Sequence, residues 1–283
     1  LRQFQDAGHQ AVFIIGDSTG IIGDSSDKDS ERPMLTPKQI KTNGATYLKQ
    51  ALKILDKKKT EVYYNSKWLK KLGYLELAKM ANQFGLHEFI QREVIAKRLE
   101  AEKRVSYLET MYPLFQGYDS VMVKADVELG GTDQRFNLLT GRDIQRYYAQ
   151  EPQDILMNPL IEGLDGRKMS SSWGNTINIL DSAEEMFGKT MSLPDELIIK
   201  YFTLVTRTSL TEIEEIKKMT NPRDQKARLA FEIVKMYHGE KEAQKAEEEF
   251  NKTFRDKNPD FTKFKYNERE ISILDLLVEL NLT

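Results

Sequence analysis

The sequence predicts an α/β domain built on a doubly wound, mostly parallel sheet, followed by an all-helical domain. Three observations carry this. Short apolar runs followed by glycine alternate with helical patterns through the first 180 residues, the arrangement that buries strands on both faces of a parallel sheet. Strand signals stop near Ser182. Beyond it, as far as about residue 255, the segments read as amphipathic helices joined by polar connections.

Leu1, Phe4, Ala7 and Ala11 recur at helical spacing with Gly8 as the stop, so the chain opens within a helix and the natural protein is expected to extend upstream. Ala11 to Gly16 (AVFIIG) reads as the first strand, and DSTGIIGDSSDKDSERP after it as a loop of irregular backbone. From Thr36 the pattern is helical: Thr is a good N-cap, Pro37 suits the first helical position, and Ile40, Tyr47, Leu48, Ala51, Leu52 and Leu55 share a face. Lys57 to Lys59 should end that helix, and Glu61 to Asn65 should form the second strand.

Residues 66–118 read as a helical insertion with a loop near Asn82 to Gly85 and a highly charged stretch from Arg92 to Arg104. SVMVKADVELGG holds the third strand, FNLLTGRDIQRYY a helix, and ILMNPLIEGL a fourth strand-like run ending in the turn LDGRK. The expected organisation is a catalytic domain over 1–180, a helical domain over 181–255, and a linker leading into a further domain over 256–283.

Composition narrows the function. The 283 residues carry 42 Lys and Arg against 44 Asp and Glu, and a net charge of −2 rules out binding that rests on bulk positive charge. With no cysteine there is no thiolate catalysis, disulfide or cysteine metal site, and His9, His87 and His238 lack metal-ligand spacing. No apolar run approaches the length of a membrane span and no signal-peptide pattern opens the chain, so a cytoplasmic, non-membrane protein is expected.

Four segments could carry chemistry. GDSTGIIGD, Gly16 to Asp24, follows a strand and combines backbone a ligand can approach with the carboxylates of Asp17 and Asp24; it reads equally as a surface turn. It matches neither a dinucleotide fingerprint nor a P-loop. Tyr112, Gln116 and Asp119 stand four and three apart, which puts a phenol, an amide and a carboxylate on one helical face, suited to a small zwitterion or to solvent. GGTDQ, Gly130 to Gln134, offers Asp133 as a ribose-chelating carboxylate or as a helix N-cap. GLDGRKMSSSWGN, Gly163 to Asn175, is a basic, serine-rich loop, either a phosphate-closing loop or a solvated connection.

Taken in order, these segments resemble one family. KMSSS, Lys168 to Ser172, resembles the KMSKS signature of class I aminoacyl-tRNA synthetases, and GDSTGIIGDSS, YPLFQGYD and DVELGGTDQ are similar to the bacterial tyrosyl-tRNA synthetase pattern. The resemblance implies that Asp24, Tyr112 and Gln116 hold the α-ammonium of tyrosine and that Asp119 accepts from its phenolic hydroxyl. It implies that Gln134 orients the reacting carboxylate, and that Thr19, Gly131, Asp133 and Ser170 contact ATP. Lys28 and Arg32 would neutralise its phosphates, and Lys168 would meet the developing charge.

ATP is then a substrate, accompanied by Mg²⁺, with no tightly bound cofactor. tRNA(Tyr) is the second substrate, and a homodimer is expected, its interface sought over Tyr74 to Leu108 with Leu86, Phe89, Ile90, Val94 and Leu99. Two departures stand out: the family's HIGH signature would lie upstream of Leu1, and Ser171 replaces the second signature lysine, with Lys28 as the candidate substitute. The rivals are a tryptophanyl-tRNA synthetase, disfavoured because an ionised Asp119 suits a phenol better than an indole, and a non-catalytic RNA-binding protein on the same scaffold.

Overall fold

The computed structural model describes residues 1–24, 34–170, 173–254 and 272. Lys28, Arg32, Ser171 and Ser172 lie outside the described residues, as does nearly all of 256–283.

Helix α1 (Arg2–Asp6) stops before Gly8, which takes a positive φ of 96°, and strand β1 (Ala11–Ile15) follows. The loop after β1 is more regular than its composition suggests, because Thr19–Ile22 forms a short helix, α2. Helix α3 (Pro37–Ile54) begins as expected: Thr36 Oγ1 accepts from Gln39 N while Thr36 N donates to the Gln39 side chain, a reciprocal cap. It ends before the lysine cluster, and Lys57–Lys59 forms a separate 3₁₀ turn capped by Asp56. Strand β2 (Thr60–Tyr64) is one residue earlier than expected, leaving Asn65 free to turn.

Six helices follow: α4 (Ser66–Leu69), α5 (Tyr74–Ala81), α6 (Leu86–Ile90), α7 (Glu93–Glu100), α8 (Tyr107–Thr110) and α9 (Tyr112–Val123). The charged stretch after Arg92 is not wholly solvated. Arg98 is buried with Glu109 in a two-bonded ion pair of 2.8 and 3.0 Å, and its remaining reach goes to the Arg104 carbonyl. Such a pair ties α7 to α8, because removing either partner would leave a buried charge. Strand β3 (Val127–Gly131), helix α10 (Arg135–Tyr147) and strand β4 (Asp154–Asn158) complete the α/β part.

Among the described residues both strand pairs are parallel, Ala11 opposite Thr60 and Val127 opposite Asp154, and an isolated antiparallel bridge joins Glu162 to Lys168. The strands group as two pairs, β1 with β2 and β3 with β4. Both β1 and β3 border one cleft of about 590 Å³, whose walls include Ala11 to Ile14 and Val127 to Leu129. Helices α9 and α10 cross closely: a Cβ on Gly117 would fall 3.0 Å from Gly141 Cα and 2.7 Å from Ile144 Cδ1, so glycine is needed there. Around that crossing Met80, Phe89, Leu114, Val121 and Ile144 form one core.

A second core is built by α11 (Ala183–Met191), α12 (Ile198–Val205), α13 (Leu210–Lys217), α14 (Pro222–His238) and α15 (Glu240–Phe254). Phe187, Phe202, Leu229 and Val234 are fully buried within it. Ile161, Leu164, Met169 and Ile177 pack against this helical core from the connecting loop, and Lys200 and Tyr201 bind Glu162 from the helical side.

Candidate functional site

The site residues follow the carboxyl ends of three strands, the position at which open parallel sheets bind ligands. Thr19 and Asp24 come after β1, Asn65 and Trp68 after β2, and Asp133 and Gln134 after β3. Helix α9 supplies the rest, and Pro113 sits in its first turn, where a missing N–H is harmless.

Asp119 is the most strongly determined group. It is 8% exposed, and both of its oxygens are engaged: Trp68 Nε1 donates to Oδ1 at 2.6 Å and Asn65 Nδ2 donates to Oδ2 at 3.0 Å. Asn65 is itself fully buried; its Oδ1 accepts from Ser18 N at 2.9 Å and its Nδ2 also donates to Thr19 Oγ1 at 2.9 Å. One asparagine thus locks the turn after β1 onto the carboxylate of α9. Burial pushes the Asp119 carboxyl up to about 7 against the opposing pull of Asn65 and Trp68. Near neutral pH it is therefore partly protonated, where the sequence led us to expect a fully ionised group.

Asp17, the other carboxylate of the first loop, has a different task. Its oxygens accept from Ser66 N at 2.8 Å and Ser66 Oγ at 2.6 Å, which holds the loop after β1 against the start of α4.

Thr19, Asp24 and Tyr112 line one cleft of about 320 Å³ together with Ile15 and Tyr47. Gln116, one turn along α9 from Tyr112, joins Asp24 through amides. Asn137 Nδ2 donates to Gln116 Oε1 at 3.1 Å and to Gln134 Oε1 at 3.0 Å, and Gln134 Nε2 donates to Asp24 Oδ2 at 2.8 Å. The helical-face expectation for Tyr112, Gln116 and Asp119 holds in a buried setting, since Asp119 faces protein rather than solvent.

Asp133 does not cap a helix. It lies in the 3₁₀ turn Thr132–Gln134, and Lys168 Nζ donates to its Oδ2 at 3.1 Å. A Cβ on Gly131 would come within 2.5 Å of Asp133 Oδ1, so any larger residue there would push that carboxylate from its present place. Asp133 also borders a second cleft of about 650 Å³ with Thr132, Arg92 and Phe136. The loop bearing Lys168 is tied at its base by Asn175, 4% exposed, whose Nδ2 donates to Asp165 Oδ1 at 2.7 Å and to the Lys168 carbonyl at 3.1 Å, while its Oδ1 accepts from Ser170 N at 2.8 Å. Hydrogen bonding from Asn175, with Arg167 assisting, holds the Asp165 carboxyl down at about 2.

The structure therefore brings Asp24, Gln116 and Gln134 into one hydrogen-bonded group, with Thr19 and Tyr112 on the same cleft and Asp133 paired to Lys168. Asn65, Trp68, Asn137 and Asn175 were missed from sequence. In sequence Asn65 reads as a strand end, and nothing local links it to a residue 54 positions away. Among the described residues no helix is long and apolar enough to cross a membrane.

Comparison with known proteins bears on the family and the fold. The family model described as "tRNA synthetases class I (W and Y)" matches residues 1–255. A tyrosine–tRNA ligase of Thermotoga maritima is 48% identical over 99% of the chain and 72% of its own length. One from Moorella thermoacetica is 50% identical over 90% of the chain and 63% of its length. The chain thus spans roughly two thirds of these relatives.

Among solved structures, a C-terminally truncated mitochondrial tyrosyl-tRNA synthetase of Aspergillus nidulans superposes with a TM-score of 0.69 at 20% identity, covering 87% of this chain and 77% of that one. A tryptophanyl-tRNA synthetase of Campylobacter jejuni gives 0.56 at 19%, covering 89% and 82%. These two likenesses speak to the fold alone, whereas the sequence relatives separate the tyrosine branch from the tryptophan one. The chain belongs to the class I tRNA synthetases of the tryptophan and tyrosine group, and within that group to the tyrosine–tRNA ligases.

Proposed function

We propose that this chain carries the tyrosine-activating centre of a tyrosine–tRNA ligase and that the named residues act as follows. The observation that carries the reading is Asp119, a carboxylate buried behind the cleft and held by two donors, with Thr19 of the cleft wall bonded to the same Asn65. Each carboxylate oxygen keeps a second lone pair, so a phenolic O–H can donate to it. Phenylalanine entering the same place would leave that group without its partner. Asp24, Tyr112 and Gln116 receive the α-ammonium, for which a carboxylate and two further oxygens are the right acceptors.

The tyrosine carboxylate, ionised at neutral pH, attacks the α-phosphorus of ATP; the bond to the bridging oxygen breaks and pyrophosphate leaves with its electrons. No general base is needed, so the protein supplies position and charge. Gln134 aligns the tyrosine carboxylate, Asp133 takes the ribose hydroxyls beside Gly131, and Thr19 and Ser170 face the nucleotide. Lys168 moves from Asp133 to the phosphates, joined by Lys28 and Arg32. A terminal hydroxyl of tRNA(Tyr) then attacks the tyrosyl carbonyl and releases AMP. Mg²⁺ would accompany the triphosphate and share its charge.

The protein works in the cytoplasm as a homodimer on this reading. Leu86 and Leu99 are exposed and available to a partner, as are Tyr74 and Tyr107, whereas Phe89 turns inward against Phe84 and Phe136 and drops out of the expected interface.

The test is pyrophosphate exchange into ATP by the intact protein. Exchange that depends on tyrosine is expected; exchange driven by tryptophan instead, or none with any amino acid, overturns the assignment.

A further inference from the structure

Lys168 is placed by its backbone, and that backbone is held on two sides. On one side Met169 N donates to the Ile161 carbonyl at 2.8 Å and Gly163 N to the Arg167 carbonyl at 2.7 Å, flanking the bridge between Glu162 and Lys168. On the other side stands one side chain, Asn175, which is buried. Its Nδ2 donates to the Lys168 carbonyl at 3.1 Å and to Asp165 Oδ1 at 2.7 Å, and its Oδ1 accepts from Ser170 N at 2.8 Å. One amide therefore grips the chain immediately before and immediately after Met169.

We infer that Asn175 is a positioning residue for Lys168: it fixes the backbone from which the Lys168 side chain reaches Asp133 and, in the reaction, the phosphates. This rests on the role proposed for Lys168. Asn175 need not touch the substrate.

The surroundings of Asn175 support the assignment. A primary amide has two hydrogens to give, and both are used, so Asn175 cannot turn without losing its bonds together. Asp165 sets which way the amide faces. Its carboxyl, held down at about 2, is ionised near neutral pH and only accepts, so Nδ2 must point to it and Oδ1 to Ser170 N. The neighbouring chain leaves room for this side chain and no other: a Cβ on Gly163 would fall 2.5 Å from Asn175 Cγ and 2.6 Å from Nδ2. Leu164 N donates to the Asn175 carbonyl at 3.0 Å, which holds the backbone of Asn175 in turn. Met169, between the two gripped peptide groups, packs against the helical core. The moving part is then the Lys168 side chain, whose flexible stem lets Nζ leave Asp133 while the backbone stays. Alanine at 175 would unpair the Lys168 carbonyl and the Ser170 N–H, and the Lys168 charge would no longer start from one place.

The experiment measures adenylate formation by rapid quench at saturating tyrosine and ATP, using the intact protein. Asn175→Ala should slow the step about tenfold, with KM for tyrosine within about twofold. On top of Lys168→Ala the same change should add less than about twofold, because the group it positions is gone. Asp165→Ala removes one partner of Asn175 but leaves its bonds to Lys168 and Ser170. It should lower the melting temperature while keeping the rate within about threefold of wild type.

Equal slowing by Asn175→Ala in both backgrounds would overturn the proposal, as would an Asp165→Ala effect on rate as large as that of Asn175→Ala; either reduces Asn175 to closing the loop. A rise in KM for tyrosine at unchanged rate would overturn it too. A slow Lys168→Ala beside a full-speed Asn175→Ala overturns the positioning role alone, whereas a full-speed Lys168→Ala withdraws the role of Lys168 and this proposal with it.

Discussion

The two sides of the site are built differently. On the side proposed for the amino acid, Asp119 is buried, both of its oxygens are bonded by residues distant in the chain, and its hydrogen-bonded neighbour Asn65 is fully buried. On the side proposed for the nucleotide, Lys168 and Asp133 are about one third and one fifth exposed and pair at 3.1 Å. A partly exposed ion pair is worth little, typically below about 1 kcal/mol, so it is readily exchanged when a ribose and phosphates arrive. A buried carboxylate with two donors is not readily rearranged. On the proposed reading, selection of the side chain falls to the buried, doubly bonded carboxylate and the chemistry to the partly exposed ion pair.

That contrast can be broken from either side. The largest effect is expected for Lys168→Ala, which should slow adenylate formation by about 10²–10³-fold with little change in KM for tyrosine, as removal of a transition-state cation does. A rapid-quench measurement showing only a KM effect would place Lys168 in ground-state binding. Asp119→Asn should reduce the preference for tyrosine over phenylalanine in kcat/KM by about 10–100-fold while ATP affinity holds. Equal loss of both in binding titrations would remove Asp119 from the phenol.

Trp68→Phe keeps the ring and deletes the 2.6 Å donor to Asp119, so a rise in KM for tyrosine of about fivefold is expected without change in KM for ATP.

The smallest effect is one of pH. Because the Asp119 carboxyl stands at about 7, KM for tyrosine should rise about fourfold between pH 8 and pH 6.5, and Asp119→Asn should flatten that profile. The sign for stability is opposite. With the folded-state pKa above the unfolded value, this group favours the folded state most at low pH, and its contribution is lost as pH rises from about 4 through 7. Melting curves of wild type and Asp119→Asn should therefore diverge toward alkaline pH in favour of the variant, by at most about 4 kcal/mol; parallel curves would mean that the carboxyl is not so perturbed.

Much of the architecture could be read along the chain because local chemistry decides it. Thr36 with Pro37 and Gln39 is a helix start wherever it occurs, and Gly8 ends a helix because its φ is positive. Ser182 and Ser209 cap the helices that open after them in the same way as Thr36. Asp133 and Gln134 stand beside Gly130 and Gly131 in the chain as well as in space, so that motif can be read without tertiary information. The short helix Thr19–Ile22 was missed, as its glycine-rich sequence carries no helix signal and the buried Asn65 braces it from another strand end.

The caps at Thr36, Ser182 and Ser209 and the spacing that sets Tyr112, Gln116 and Asp119 on one helix follow from residues close together in the chain. Only the tertiary structure decided what those groups meet. Asn65 and Trp68 reach Asp119 from more than fifty residues away, and burial there moves its carboxyl to about 7. The close crossing of α9 and α10 at Gly117 and Gly141 lets Asn137 reach Gln116. Helical spacing is a property of neighbouring residues along a chain, whereas desolvation and a hydrogen-bond partner are properties of a place in space.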